Sequence, residues 1–391
     1  MSVKVLSIPV KNPRAFLPEN LKIDSWKKLE PFFSELKERP VNSVNEIKKW
    51  LLDRSELDAI LSEELGRRYI RMTCNTTCEE YTNAYNFFIS EIEPHVAPFR
   101  NDFNKKIISS PFLSKLDQEK YFIYLRSIKN EMEIFRKENI PLHTEIQTES
   151  QKYGAITSLM TVSIEGEEVT LQKAVSYLKS PDRQKRHKIY DKINERKRKD
   201  KNTLNELYNR LIELRDKVAT NAGFKNFRDY SFAYLGRFDY SIQDCYNFHN
   251  SILSEVVPAV KNIDTKRKNS LDIDKLKPWD TEVDITGKAS LKPFEDAEDL
   301  INKTIQCFYK IRPYYGECIE IMKEMKHLDL ESRKGKSIRR RSRSEKNRRT
   351  SCHVIASTGA NAPVPQCSAW DCAVIARRPK ADEGRCTSTG T

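Results

Sequence analysis

"WKKLEPFFSELKERPVNSVNEIKKW", residues 26–50, decides the fold class. Its first half sets Trp26, Leu29, Phe32, Phe33 and Leu36 on one side of a helix over about residues 25–38, because steps of three and four bring a side chain back to the same face. Pro40 stops that helix: proline has no N–H to donate, and its ring crowds the preceding turn. Ser43 and Glu46 follow at capping-box spacing, where each side chain satisfies an N–H that a new helix would leave unpaired. Ile47, Trp50 and Leu51 then resume the helical period.

The same pattern runs outward along the chain. Leu57, Ile60, Leu61, Leu65 and Tyr69 prolong the second helix, and Thr77 with Glu80 repeats the capping spacing before "YTNAYNFFISEIEPHVAPF". A long helix is predicted over about 116–139, ended by Pro141. Ser180 is placed as an N-cap with Pro181 at the first helical position. Gly223 closes "TLNELYNRLIELRDKVATNAGF", since glycine takes the left-handed backbone that ends helices. Ser241 and Asp244 open "SIQDCYNFHNSILSEVVPAVKNI", and two last helices span about 295–326. One stretch departs from the period: "LMTVSIEGEEVTLQ" has β-branched residues on either side of Glu165-Gly166 and reads as a small β-hairpin near 160–170. No internal repeat of 20–50 residues aligns. The expected fold is therefore mainly α, a multi-helix array with one small hairpin.

Composition agrees with this up to about Lys336 and then changes. The 391 residues are 38% hydrophobic and 32% charged, with 11 glycines, a mix that favours a helix-rich protein. Of the formal net charge of +13, the stretch from Ser337 to Thr391 supplies +7, with 11 Lys and Arg against 4 Asp and Glu. That stretch has no Leu, Phe, Tyr or Met, its one aromatic residue is Trp370, and it holds Cys352, Cys367, Cys372 and Cys386. It cannot bury enough apolar surface to offset its ordering entropy, so a disordered tail is predicted over 337–391. The start of the chain lacks a long apolar segment, no run reaches membrane-spanning length, and cysteines before the tail are sparse. A cytoplasmic protein with reduced thiols is expected.

"RRYIRMTCNT", "EIFRKENIPLHTE", "MTVSIEGEEVTLQKAVSYLKSPDRQKR", "NAGFKNFRDYSFAYLGRFDYS" and "KPWDTEVD" resemble, in that order, the N-terminal portion of the oligoendopeptidase F-like, thimet-type zinc metallopeptidases. The resemblance runs over about residues 20–336. The run from Asn221 to Tyr240, with Pro278-Trp279-Asp280, is its most specific part. It implies an oligopeptidase-like helical array, an N-terminal helical domain over 1–139 and the start of a catalytic domain over 140–336. It also implies zinc as the family's cofactor and short peptides as its substrates.

The family's catalytic motif is H-E-x-x-H on a helix. Two imidazoles at i and i+4 bind zinc, and the intervening glutamate acts as base on the metal-bound water. Here His95 precedes Val, His143 Thr, His187 Lys, His249 Asn, His327 Leu and His353 Val, so the motif is absent. Catalytic and metal-ligating residues are accordingly assigned as none, no residue is assigned to substrate binding, and no cofactor is expected in this chain. His143 with Glu145, two residues apart, does not share one helical face. Cys74 and Cys78 lack a second ligand pair. His249 reads as a helix-packing residue, and the aromatics of "FRDYSFAYLGRFDY" read as core. Where the family's zinc helix would follow, "LDLESRKGK" instead leads into "SIRRRSRSEKNRR". This reads as a frameshifted or foreign tail that leaves a truncated, inactive peptidase, prone to aggregate or bind chaperones, with no membrane partner. The alternative is a helical binding protein whose Arg/Ser arm contacts nucleic acid through phosphates, a reading weakened by the lack of interleaved aromatics for base stacking.

Overall fold

The structure, a computed structural model, describes residues 13–288 and 291–337. The expected tail lies outside these residues, apart from Ser337.

The first layer is built by α1 (Trp26–Glu38), α2 (Val44–Cys74), α3 (Glu79–Phe87), α4 (Glu93–Ile108) and α5 (Gln118–Ile134), with a π-helical turn, Phe88–Ile92, joining α3 to α4. Their apolar stripes meet in one core around Leu29, Phe33, Trp50, Leu61, Phe88 and Phe103. The Trp50 indole is buried there and satisfied, Nε1 donating to the Leu36 carbonyl at 2.7 Å. Phe33 stacks on Phe103 at 5.9 Å between ring centres.

A second core lies between α6 (Asn139–Ser158), α9 (Lys201–Asn221) and α10 (Phe227–Tyr234), around Leu207, Leu211, Leu214, Val218 and Tyr230. A third gathers the hairpin, α7 (Leu171–Ser176) and α8 (Arg183–Lys199), around Val162, Ile164, Val169, Ile189 and Ile193. In the hairpin β1 (Thr161–Ile164) pairs antiparallel with β2 (Glu167–Thr170), Val162 opposite Val169. Glu165 and Gly166 both take positive φ, 54° and 88°. That is the turn whose twist matches its flanking strands.

The last third is an extended series of helices. α11 (Ile242–Ser251) runs through a π-helical turn, Ile252–Val256, into α12 (Val257–Ser270). α13 (Ala297–Ile311) and α14 (Pro313–Glu324) form a hairpin against each other.

Several local expectations are corrected. The helix expected over 116–139 stops at Ile134, and Pro141 lies in the first turn of α6. A proline there loses no intrahelical bond, so it cannot act as the stop. Ser180 and Pro181 do not open α8. Asp182 is the N-cap, accepting from the backbones of Gln184 and Lys185 at 2.8 and 3.2 Å. Thr77 does not cap α3; its hydroxyl donates to Asn75 Oδ1 at 2.8 Å, and Cys78 holds the cap position. At α2 the reciprocal arm is shifted by one: Ser43 accepts from the Glu46 N–H, while the Glu46 carboxylate takes the N–H of Asn42 at 2.7 Å. Ser241 and Asp244 do form the full capping box.

Candidate functional site

Two charged clusters organise the surface of the helical array. In the first, "KPWDTEVD" places a short helical turn, Pro278–Asp280, against α8. Asp280 is fully buried and accepts from Arg183 Nε and Nη2 at 3.1 and 3.0 Å, from Arg186 Nη2 at 2.9 Å and from the Lys277 backbone at 3.0 Å. Burial pushes this carboxyl's pKa up, but the two guanidinium groups and the backbone N–H outweigh it and leave the pKa below its usual value. Arg186 is buried too, and it spends its other donors on the carbonyls of Trp279, Ser180 and Pro181. His187 stacks on Trp279 at 4.0 Å.

The second cluster is a clamp formed by residues 327–337, which no motif or spacing had marked. Asp329 pairs with Arg333 at 2.7 Å and with Lys336 at 3.0 Å. Burial raises this carboxyl, and the two cations more than reverse that, drawing it down to about 2. Lys336 is buried, its Nζ also donating to the carbonyls of Asp329 and Glu331, both at 2.8 Å. The backbone of the same segment ties distant helix ends together. Gly335 N–H donates to the Ser158 carbonyl at 3.0 Å, the Thr76 N–H to the Gly335 carbonyl at 2.7 Å and the Ser337 N–H to the Thr73 carbonyl at 2.8 Å. Gly154 in α6 makes room for this segment, since a Cβ there would lie 2.8 Å from Ser337 Oγ.

The residues singled out by sequence are dispersed. His143 Nε2 meets the Tyr230 hydroxyl at 3.2 Å and its ring stacks near Tyr234, while Glu145 takes the Arg210 guanidinium at 2.5 and 2.9 Å. The two therefore face different partners. Cys74 is half-buried, and burial first, then Asp329 beside it, pushes its thiol up to about 11, the reverse of what a thiolate ligand needs. His249 is exposed on α11 rather than packed, its ring edge-on to Tyr246 with 6.4 Å between ring centres. Of the aromatics in 227–240, Tyr230 is core, but Tyr234 and Tyr240 are exposed, so that stretch is core only in part.

A cavity of about 160 Å³ between α2 and α3 is lined by Arg67, Arg68, Arg71, Glu64, Glu80 and Tyr81. Arg67 pairs with Glu63 and Arg68 with Glu64, so two of its three cations already have anions of their own.

Among the described residues no group of three or more His, Cys, Asp or Glu could hold a metal ion. Zinc needs three or four such donors converging on one point, and the residues present do not fit it. No helix among the described residues is long and apolar enough to cross a membrane.

The described residues thus form a helical array with one small hairpin, its loops fixed by two charged clusters. Residues 16–135 match the model of the peptidase M3 N-terminal domain, and residues 176–337 match the model of peptidase family M3. The two matches together take in most of the chain, which belongs to peptidase family M3.

Solved structures share the fold. One described as an oligoendopeptidase F is 24% identical over 82% of this chain and 56% of its own, with a TM-score of 0.76. A Pz peptidase A solved with an inhibitor gives 24%, 81%, 56% and 0.76 in the same order. An oligoendopeptidase F from Bacillus anthracis gives 21%, 84%, 60% and 0.77. The chain thus spans a little over half the length of the solved proteins it matches. No curated protein matches it.

Proposed function

We propose that these 391 residues supply the scaffold portion of an M3 oligopeptidase and do not themselves hydrolyse peptides. The observation that carries this is chemical: none of the six histidines is followed by glutamate, so the chain has no H-E-x-x-H with which to bind zinc and activate water. Family membership supports peptidase ancestry, and the scattering of His143, Glu145, Cys74 and His249 supports the lack of a centre in the scaffold. In the intact parent, zinc would supply an activated water for cleaving short peptides in the cytoplasm. The composition break after Lys336 is the point at which this chain departs from that parent.

The test is direct. The purified full chain, dialysed and analysed for metal, should retain well under one zinc per chain and leave a fluorogenic peptide uncut. One tightly held zinc with chelator-sensitive cleavage would defeat the reading. Translating the nucleotides after the Lys336 codon in the other two frames checks the origin of the break. An H-E-x-x-H recovered there supports a frameshift, and stop codons in both frames count against it.

A further inference from the structure

Residues 183–201, which take in α8, Asp200 and the first residue of α9, carry ten Lys and Arg against three Asp and Glu. Five of these cations are held by partners. Arg183 and Arg186 grip Asp280, Lys185 pairs with Glu165 at 2.5 Å, Arg196 pairs with Asp200, and Lys192 Nζ donates to the Ser163 carbonyl at 2.8 Å. Lys197, Arg198 and Lys201 are different. All three are exposed, and among the described residues their side chains make no ion pair or hydrogen bond. They line one open groove of about 490 Å³ where the end of α8 meets the start of α9, with Tyr190, Asn194 and Asn205 among its other walls. The one carboxylate lining it, Asp191, meets His187 Nε2 at 3.2 Å. Helix stability accounts for only part of this charge. Lys197 and Arg198 lie in the last turn of α8, where the field of the helix favours a cation. Lys201 opens α9, where the same field opposes one, and no acidic residue stands in that first turn to offset it. A concavity lined by unneutralised charge of one sign concentrates ions of the other sign.

We propose that this groove binds a small anion carrying a chain of two or three phosphates. Its size is that of a small-molecule cleft. Its charge sets the class: three cations call for about three negative charges in a small volume, and a single phosphate carries about two at most. Lys197 and Arg198 approach from α8 and Lys201 from α9, a spread that suits a chain of phosphates better than one tetrahedral ion. Arg198 has the planar fork that takes two oxygens of one phosphate, and the two lysines act as point charges on the next. Tyr190, half-buried in the groove wall and braced by Trp279 at 5.4 Å, gives a ring for a base to rest on. An inorganic phosphate chain and a nucleoside triphosphate share this chemistry. The proposal goes beyond the scaffold reading and does not depend on it.

Calorimetric titration of the dialysed full chain with tripolyphosphate, at physiological salt and without divalent cations, should show a saturable one-to-one phase. Lys197→Gln with Lys201→Gln should weaken that phase at least about ten-fold, because two charge-assisted contacts are lost. Both side chains are exposed, so the far-UV helical signal should not change. The control is Lys188→Gln with Lys199→Gln, which removes the same charge from exposed positions outside the groove. It should leave the affinity within about two-fold, since salt screens charges that do not touch the ligand. The absence of saturable binding overturns the proposal. Native affinity in the groove variant also overturns it, and assigns the binding to other basic residues, those after Ser337 included. So does equal weakening in both variants, which would show a response to net charge alone. Citrate binding as tightly as tripolyphosphate overturns the phosphate assignment, and a single-stranded oligonucleotide binding more tightly than ATP overturns the small-molecule one. ATP separates the two sources, and either result supports the site: tighter binding than tripolyphosphate places a nucleoside on Tyr190, and no gain makes the phosphate chain the whole ligand. None of these outcomes bears on the cleavage of peptides.

Discussion

Asp280 and Asp329 show how much of this molecule depends on single carboxylates. Asp280 → Asn leaves Arg186, only 3% exposed at its side chain, without its buried counter-charge. Removing one partner of a buried pair costs about 3 kcal/mol or more, so urea denaturation should show a loss of that order for the part of the chain carrying α8. Asp329 makes a pH prediction. Its folded pKa of about 2 lies below the ordinary 3.8, so its contribution is complete above about pH 4 and lost as pH falls toward 2. The denaturation midpoint should drop over that window, and Asp329→Asn should flatten the drop while lowering stability at neutral pH. An unchanged acid limb in the variant would mean that the clamp does not govern it. Neither role was legible in sequence. The partners of Asp280 lie 94 and 97 residues away, and the Arg333 guanidinium reaches the Cys74 carbonyl across 259.

At the scale of elements, the sequence was read correctly wherever local chemistry decides the outcome. Ser241 with Asp244, Gly223 and the Glu165-Gly166 turn each act within a few residues, and each was legible. The misreadings arose where two local signals competed. Ser180-Pro181 and Asp182 both offer helix starts, and Asp182 prevails because its carboxylate reaches two N–H groups. Pro141 looked like a stop only because the break at 135–138 carries no proline or glycine of its own. Tertiary packing supplied the rest. Ile301, Ile305, Phe308 and Tyr309 of α13 are half-covered. α14 packs on them, with Gly316 so close to Tyr309 that a Cβ would sit 2.4 Å from its ring. Two substitutions test the elements. Leu214→Ala, in the wholly buried centre of α9, should cost roughly 2–5 kcal/mol by denaturant titration. Gly154→Leu should displace Ser337 from its seat, and the 335–337 amides should then exchange as fast as those of an open loop.

At the scale of the whole molecule, order is unevenly spread. The first layer buries Trp50, Phe33, Phe88 and Leu61 in one core, whereas 242–270 buries nothing. Among the described residues, brief trypsin treatment should therefore cut first at Lys261, Lys266 or Lys268, with residues 26–134 surviving as a fragment by mass mapping. Equal resistance of both regions would show that residues 242–270 are held by something not apparent in their exposure. The fold class and the family-like order of segments were legible because periodicity and capping repeat many times along the chain. The exposure of residues 242–270 was not: a helix with an apolar face reads the same whether or not something covers it.

The clamp at 327–337 also bears on the timing of synthesis. The carbonyls of Thr73 and Ser158 and the hydroxyl of Thr76 find their partners at Gly335 and Ser337, so the ends of α2 and α6 stay open until nearly all the described chain has emerged. At 5–20 residues per second, the 259 residues between Thr76 and Gly335 separate first partner from second by roughly 13 to 50 seconds. During that interval the first layer must hold on its own core, and a ribosome stalled anywhere before residue 335 would display a nascent chain that is folded in front and unlatched behind.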